Sequence, residues 1–201
     1  MDKILIRNGS PADGKDFARL FMFTGQELYR ALFGKDAENF LEFMFRHRGN
    51  YFSFEHAYFL EVNGEVAGMT LLYDWRQKRQ EMFRFGILLL RYFKFRFLRV
   101  LVPLLKLDRA LTGILEGELH SSNSALYPEF RGRHLGEKLF GYAEDKARNE
   151  GCLKVTVNVK EDNHTALSLR KKLGYKTEKR LPEFRIGGKS FVYIRLVKHI
   201  T

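Results

Sequence analysis

Between Glu118 and Gly174 the chain reads strand, loop, helix, strand, helix, and that order constrains its fold more than any other feature. ELHSSNSALYP gives a strand ending at Pro128. The loop EFRGRHLG leads into a helix with Leu135, Leu139, Phe140, Ala143 and Ala147 on one face, and Gly151 closes it as a C′ glycine does. LKVTVNV then alternates, which places Leu153, Val155, Val157 and Val159 on one face of a second strand. Asp162 or Asn163 can cap the next helix, Gly174 ends it, and YKTEKR and SFVYIRLV close as two further strands. A β-α-β unit of this length calls for parallel neighbours joined by a right-handed crossover, so the chain belongs to the mixed α/β class.

No repeat, low-complexity run or linker divides the sequence, and residues 1–201 are read as one domain in three stretches. Residues 1–75 begin with the strand KILIR. A helix opened by SPADGKD follows, carrying Phe17, Leu20, Phe21, Leu28 and Leu32, then a second from Asp36 to Arg48. HAYFLEV and EVAGMTLLYDW flank Asn63-Gly64, the strongest short hairpin signal. Residues 76–117 read as a helical insertion dense in arginine and phenylalanine, in which Pro103 should end or kink a helix near its preceding residue. Residues 118–201 hold the alternating core.

The insertion carries two readings. It can be a cationic lid or a membrane-surface element, with contact through residues 82–109, or a pair of helices packed on the domain edge or on a second subunit, which leaves a homodimer open. Packing is favoured, because the apolar residues are too many for one narrow stripe. Its apolar window from Phe85 to Leu105 includes Arg91, Lys94, Arg96 and Arg99, each costing about 2.5–3.5 kcal/mol at a bilayer centre, so it does not span a membrane. The N-terminus lacks the apolar core of a signal peptide, and the single Cys152 permits no internal disulfide. No CxxC or HExxH spacing offers a metal site, and a reducing cytoplasmic compartment is the expectation. The formal charge of +11 favours an anionic partner or mere solubility and decides neither.

FRGRHLG lies where a backbone nest and a helix N-terminus together hold phosphate. The amides of Arg133 through Gly136 are the candidates, and Arg131, Arg133 and Lys138 raise the local positive field. An ordinary strand-to-helix turn with solvated arginines would read the same way. No Gly-Lys-Ser/Thr follows, so this is not a P-loop, and the third glycine of a dinucleotide fingerprint is missing.

Taken together, the stretch from Ala125 to Lys176 resembles the cofactor-binding core of the GNAT superfamily of acyl-CoA-dependent N-acyltransferases. The family loop R/Q-x-x-G-x-G/A is matched by Arg131 and Gly136, with His134 in place of the first glycine. The later strand, N-x-x-A and K-x-G-F/Y are matched by Val159, Asn163, Ala166, Lys172, Gly174 and Tyr175. The resemblance implies a central, mostly antiparallel sheet flanked by helices, with two parallel strands splayed at its middle. It implies acetyl-CoA as cosubstrate, its pantetheine arm on Ser124, Ala125 and Leu126 and its pyrophosphate on the loop Arg131, Gly132, Arg133, His134, Leu135 and Gly136. Asn163 would bond near the pantetheine. The acetyl carbonyl, turned toward a strand amide, would gain oxyanion stabilisation. His134 is expected to be harmless if its φ is already helical.

Attack by an amine requires a neutral nucleophile. By the period of two, Glu118, His120, Ser122 and Ser124 share one strand face, and His120 is the candidate base, with an unperturbed imidazole pKa of about 6.5. A histidine merely hydrogen bonded at a strand end is the competing reading. Cys152 follows a helix-ending glycine with no histidine near it in sequence, which favours direct transfer over an acyl-enzyme. The family position four residues before the glycine usually holds a tyrosine proposed to protonate the leaving thiolate, and here it is Arg170. Arginine is a poor proton donor and a good stabiliser of negative charge. Arg170 therefore stabilises the thiolate, turns to a CoA phosphate, or marks a weak catalyst. The expected activity is acetyl transfer to an amine of a small molecule or peptide; the alternative is an acyl-CoA-binding or nucleic-acid-binding regulatory module. No helix-turn-helix or aromatic ribonucleoprotein signature supports nucleic-acid binding.

Overall fold

The computed structural model describes residues 2–111 and 113–200. One seven-stranded sheet collects strands from both ends of the chain: β1 (Ile4–Asn8), β2 (Ala57–Val62), β3 (Glu65–Asp74), β4 (Glu118–Leu126), β5 (Lys154–Lys160), β6 (Lys176–Arg180) and β9 (Tyr193–His199). Their order is β1-β2-β3-β4-β5-β9-β6, and only the β4–β5 pair is parallel. A separate small hairpin, β7 (Phe184–Ile186) and β8 (Lys189–Phe191), turns on Gly187 and Gly188, both at positive φ. SFVYIRLV is therefore split, Ser190 and Phe191 in β8 and Tyr193 to Val197 in β9, with Val192 between them.

Helices cover both faces. On one lie α1 (Gly14–Phe23), α2 (Gln26–Phe33), α3 (Ala37–Arg46), α4 (Trp75–Phe93) and α5 (Phe97–Ala110), packed on the sheet through Phe17, Phe21, Phe45, Phe59, Met69 and Leu71. On the other lie α6 (Leu135–Asn149) and α7 (His164–Lys172), packed through Leu72, Leu119, Ala143, Val155 and Val157 and, beside them, Leu60, Leu139 and Phe140. The mixed α+β class and the mostly antiparallel central sheet agree with the sequence reading. No helix among the described residues is long and apolar enough to cross a membrane.

Several local expectations change. The first expected helix is two, because the chain breaks at Thr24 and Gly25. Pro103 lies inside α5 and does not end it: the carbonyl that loses its partner belongs to Arg99, an exposed residue, so water can serve it. The hairpin of α4 and α5 turns instead at Lys94–Arg96, with Lys94 at φ +47°. Leu153 precedes β5 and is exposed, whereas Val155, Val157 and Val159 are buried on one face as expected. Asn63 and Gly64 both take positive φ, as a two-residue hairpin turn needs.

Candidate active site

The site is built on an interruption in the sheet. β4 pairs with β5 only at Glu118–Lys154, Leu119–Val155 and His120–Thr156, although β4 continues to Leu126 and β5 to Lys160. Beyond His120, one edge of β4 therefore has no strand neighbour. Its other edge stays paired to β3 throughout, and at Gly68 the approach is so close that a Cβ would lie 2.5 Å from the Ala125 carbonyl. The expected splay is present, and Ser124, Ala125 and Leu126 lie on the open segment.

A bulge changes which β4 side chains share a face. The register shifts between Leu71 and Leu72, so Ser122 is the extra residue. Ser121 and Ser124 consequently share a face, their hydroxyls 3.2 Å apart, and the Ser124 hydroxyl lies 2.9 Å from that of Thr70. The period-of-two grouping of Glu118, His120, Ser122 and Ser124 holds only below the bulge. Above it, Asn123 turns to the α1–α5 side and donates to Thr24 Oγ1 at 2.6 Å and to the Tyr29 hydroxyl at 2.7 Å.

The open edge of β4 runs into the loop before α6. Gly132 sits at φ +75°, and His134 at φ +57° is the left-handed N-cap of α6. The condition under which a histidine would be harmless is therefore not met. This position needs the positive φ that glycine supplies, and histidine occupies it at a backbone cost of about 1–3 kcal/mol. Its exposed ring partly offsets this, with Nδ1 2.8 Å from Glu137 Oε1. Among the described residues, the amides of Gly132, Arg133 and His134 make no backbone hydrogen bond. Arg131 Nε donates to the Leu126 carbonyl at 3.4 Å, Arg133 pairs with Asp2, and Lys138 is exposed on the first turn of α6. A Cβ on Gly136 would meet Leu169, Leu126 and Phe140 no closer than 3.7 Å, so protein packing does not require glycine there.

From α7, Arg170 reaches into the place where β4 and β5 part. Its residue is buried, Nη2 donates to Ser121 Oγ at 3.4 Å, and the guanidinium lies 3.5 Å from the centre of the Phe140 ring and 5.0 Å from that of Tyr175. Nη1 is buried without a hydrogen-bond partner. Burial weakens the arginine's hold on its proton, and the neighbouring Tyr175 and Glu144 work the other way. A fixed cation that stacks on a ring yet leaves a buried donor free is suited to an anion arriving from outside. Asn163, one of the two expected cap residues, caps α7, its side-chain oxygen accepting from the Ala166 amide at 3.1 Å. Ala166 is half-buried and Lys172 is exposed.

His120 sits at the last β4–β5 pair, below the opening. Its Nδ1 lies 3.0 Å from Thr156 Oγ1 and its ring packs edge-on against Tyr73. Burial, together with the fields of Arg195, Lys78 and Arg170, pushes its pKa down to about 3, far from the value that made it attractive as a base. The imidazole is neutral at working pH but weakly basic. Cys152 is half-buried, and burial with Glu150 and Asp74 nearby raises its thiol, the opposite of an activated nucleophile.

Sequence reasoning missed two groups. The Thr24–Tyr29–Asn123 cluster joins the α1–α2 break to the bulge of β4, residues about a hundred positions apart. The second is buried: Arg195 on β9 bonds Glu118 at 2.5 Å and Glu178 at 2.6 Å, and Lys154 adds to Glu118 at 2.9 Å. The mixed charges of KTEKR and the lone arginine of YIRLV hinted at cross-strand pairing, but nothing in them said that this arginine would be fully enclosed.

Residues 104–175 match the model of the acetyltransferase (GNAT) family, a span that begins inside α5 and covers the open strand, the loop and both helices beside it. The fold agrees over the whole chain. An N-acetyltransferase from Staphylococcus aureus Mu50 is 21% identical and superposes with a TM-score of 0.66 over 96% of this chain and all of its own. Another solved acetyltransferase is 19% identical, with a TM-score of 0.69 over 98% of this chain and all of its own. The yncA protein of Salmonella typhimurium, solved with acetyl-CoA as its cofactor, is 16% identical, with a TM-score of 0.61 over 98% of this chain and 94% of its own.

Proposed function

We propose that this chain, a member of the GNAT acetyltransferase superfamily, moves an acetyl group from acetyl-CoA to the amine of a small molecule or a peptide terminus by direct attack. The observation that carries the reading is the loss of β4–β5 pairing after His120 and Thr156, which frees strand edge leading straight to the unpaired amides of residues 132–134. An amide-bearing pantetheine arm would add to that edge at Ser124, Ala125 and Leu126 as another strand does. Its pyrophosphate would meet the loop from Arg131 to Gly136, in the field of Arg131, Arg133 and Lys138. Gly136, which packing does not require, keeps that approach clear.

At the opening, an amine attacks the acetyl carbon, the carbon–sulfur bond breaks, and the thiolate leaves with the electron pair. Arg170 supplies positive charge there, with Nη1 free to donate, and water protonates the sulfur. His120 acts as a neutral hydrogen-bonding residue, and the amine loses its proton to water. The groups gathered on the α1–α5 side, Asn123, Tyr29, Thr24, Ser122 and Tyr73, are neutral donors and acceptors. They suit a neutral or anionic acceptor better than a polyamine.

Calorimetric titration with acetyl-CoA, followed by a CoA-release assay across amino acids, peptides, polyamines and aminoglycosides, tests the proposal. Saturable binding competed by CoA, with turnover on amino acids or peptides, is expected. Absence of both binding and CoA release overturns it. Arg170 at the acid position gives the weak-catalyst alternative its one support, and binding without release on any amine would favour that alternative.

A further inference from the structure

We infer that the α4–α5 hairpin is a docking surface for an anionic membrane. Of the large apolar side chains exposed among the described residues, most belong to this one hairpin. Phe83, Ile87 and Leu90 follow one another at i, i+4 and i+7 on α4, and Leu98, Val102 and Leu105 repeat the same spacing on α5. Each row therefore lies along one face of its helix. Phe95, at the turn between them, is 92% exposed. The inner faces of the same helices are occupied: Phe85, Leu88, Leu89, Phe93 and Val100 are buried in the core. Packing thus accounts for half of the hairpin's apolar residues and leaves the outer half in water.

Charge selects the occupant. Residues 76–110 contain ten lysines and arginines against Glu81 and Asp108, so +8 of the formal +11 resides in 35 of 201 residues. The cations follow the apolar rows: Arg91 comes directly after Leu90, Arg99 after Leu98 and Lys106 after Leu105. Each cation flanks its row on the same side, about 100° around the helix. Lys78 pairs with Asp108 and Arg96 lies 3.9 Å from Asp36, whereas Arg91, Lys94, Arg99, Lys106 and Arg109 have no carboxylate partner among the described residues. An apolar row edged by long cationic side chains matches the boundary between lipid headgroups and acyl chains, where the rings and aliphatic groups enter and the cations meet phosphates. A second copy of this chain would bring the same unpaired cations face to face.

The test is co-sedimentation of the full chain with phosphatidylcholine vesicles, with and without phosphatidylglycerol. Binding is expected only to the phosphatidylglycerol vesicles and should weaken with salt. The variant Phe83→Ser/Phe95→Ser/Leu98→Ser should bind them about tenfold more weakly. Arg91→Glu/Arg99→Glu/Lys106→Glu should lose the preference for anionic lipid. Both variants alter exposed positions outside the acetyl-CoA site, and unchanged circular dichroism and acetyl-CoA titration would establish that they fold. No binding by the parent, or equal binding by either folded variant, overturns the inference. So does a concentration-dependent dimer that the serine variant breaks without any vesicle binding, or binding to nucleic acid that exceeds binding to vesicles and is lost in the glutamate variant.

Discussion

The two helical layers flank the same sheet but are specified in different ways. The α6–α7 layer packs mainly aliphatic and small residues around a few rings, Tyr58, Phe130, Phe140 and Tyr175, and what it offers to the opening in the sheet, Arg170 apart, is backbone: strand edge, loop amides and a helix start. The α1–α5 layer is a lattice of rings, Phe17 stacking on Phe45 at 4.4 Å and Tyr51 on Phe85 at 4.3 Å, and what it offers to the site is side chains. Backbone geometry restricts residue type at fixed spacing, since only certain residues take a left-handed φ or leave room for a ligand. Aromatic packing can be solved by many sequences of similar volume. One layer therefore carries a family signature and the other carries only a composition.

The comparison breaks most sharply on stability. Phe45 is fully buried against Phe17, Phe54 and Phe59, and Phe45→Ala should cost about 3–5 kcal/mol, measured by urea unfolding, with acetyl-CoA affinity retained in the folded fraction. Gly136→Ala should do the reverse. Alanine meets only ordinary contacts and improves the helix, adding about 0.5–1 kcal/mol of stability. The loop pattern that this stretch resembles admits glycine or alanine at this place, so acetyl-CoA affinity in a calorimetric titration should change by less than about tenfold, under about 1.4 kcal/mol. Equal losses of stability in both variants would mean that the layers do not divide the work this way.

Arg170 tests the same division: it is a buried charge with an unused donor, and under the proposed mechanism it serves the departing thiolate at the expense of packing. Arg170→Met should leave stability unchanged or raise it by about 1–4 kcal/mol, as replacement of buried charges by apolar side chains often does. CoA release should slow by about 10²-fold or more with little change in KM, the size expected for a lost oxyanion-type donor. If turnover survives and stability falls, the arginine is a packing residue.

How much could be read in advance follows the same line. The strand-loop-helix-strand-helix order, the splay between β4 and β5 and the special character of the loop at 131–136 were legible, because alternation, glycine spacing and caps report the backbone directly. The bulge at Ser122 was not. It depends on β3 pairing across β4, and its result, Asn123 facing Tyr29 while Ser121 faces Arg170, reverses the alternation on which a strand reading rests. His120 was legible by place but not by basicity. Its position at a strand end was right, but its basicity is set by burial under three neighbouring cations that only the tertiary fold assembles. Pro103 warned of a helix end that water on an exposed face made unnecessary. The break at Gly25 was visible as a glycine yet hidden by hydrophobic spacing that ran on through it.

That buried histidine predicts an acid limit to stability. Its folded pKa near 3 lies below its unfolded value of about 6.5, so between them the unfolded chain binds a proton that the folded chain does not. Its contribution is complete above about pH 6.5 and is lost as the pH falls toward 3, at up to about 1.4 kcal/mol per unit. His120→Gln should flatten the stability-versus-pH curve in that window while leaving the pH–rate profile above neutrality unchanged. A rate profile that loses its acid-side limb in the variant, the rise with pH that a general base imposes, would restore the histidine as a base.

The smallest effect is expected at His134, where the two kinds of specification meet in one residue. Its backbone conformation is the left-handed one that glycine takes most readily, as Gly132 does in the same loop, and its side chain adds a contact to Glu137 on an exposed surface. His134→Gly relieves the left-handed strain but makes the unfolded chain more flexible and removes the ring from Glu137, terms that oppose each other within about 1 kcal/mol. Thermal unfolding should therefore shift by only a few degrees for a chain of this size. Acetyl-CoA affinity separates two roles that stability does not. If the histidine only tolerates a backbone position, the glycine variant binds as the parent does; if its ring donates to a phosphate, affinity falls in the variant.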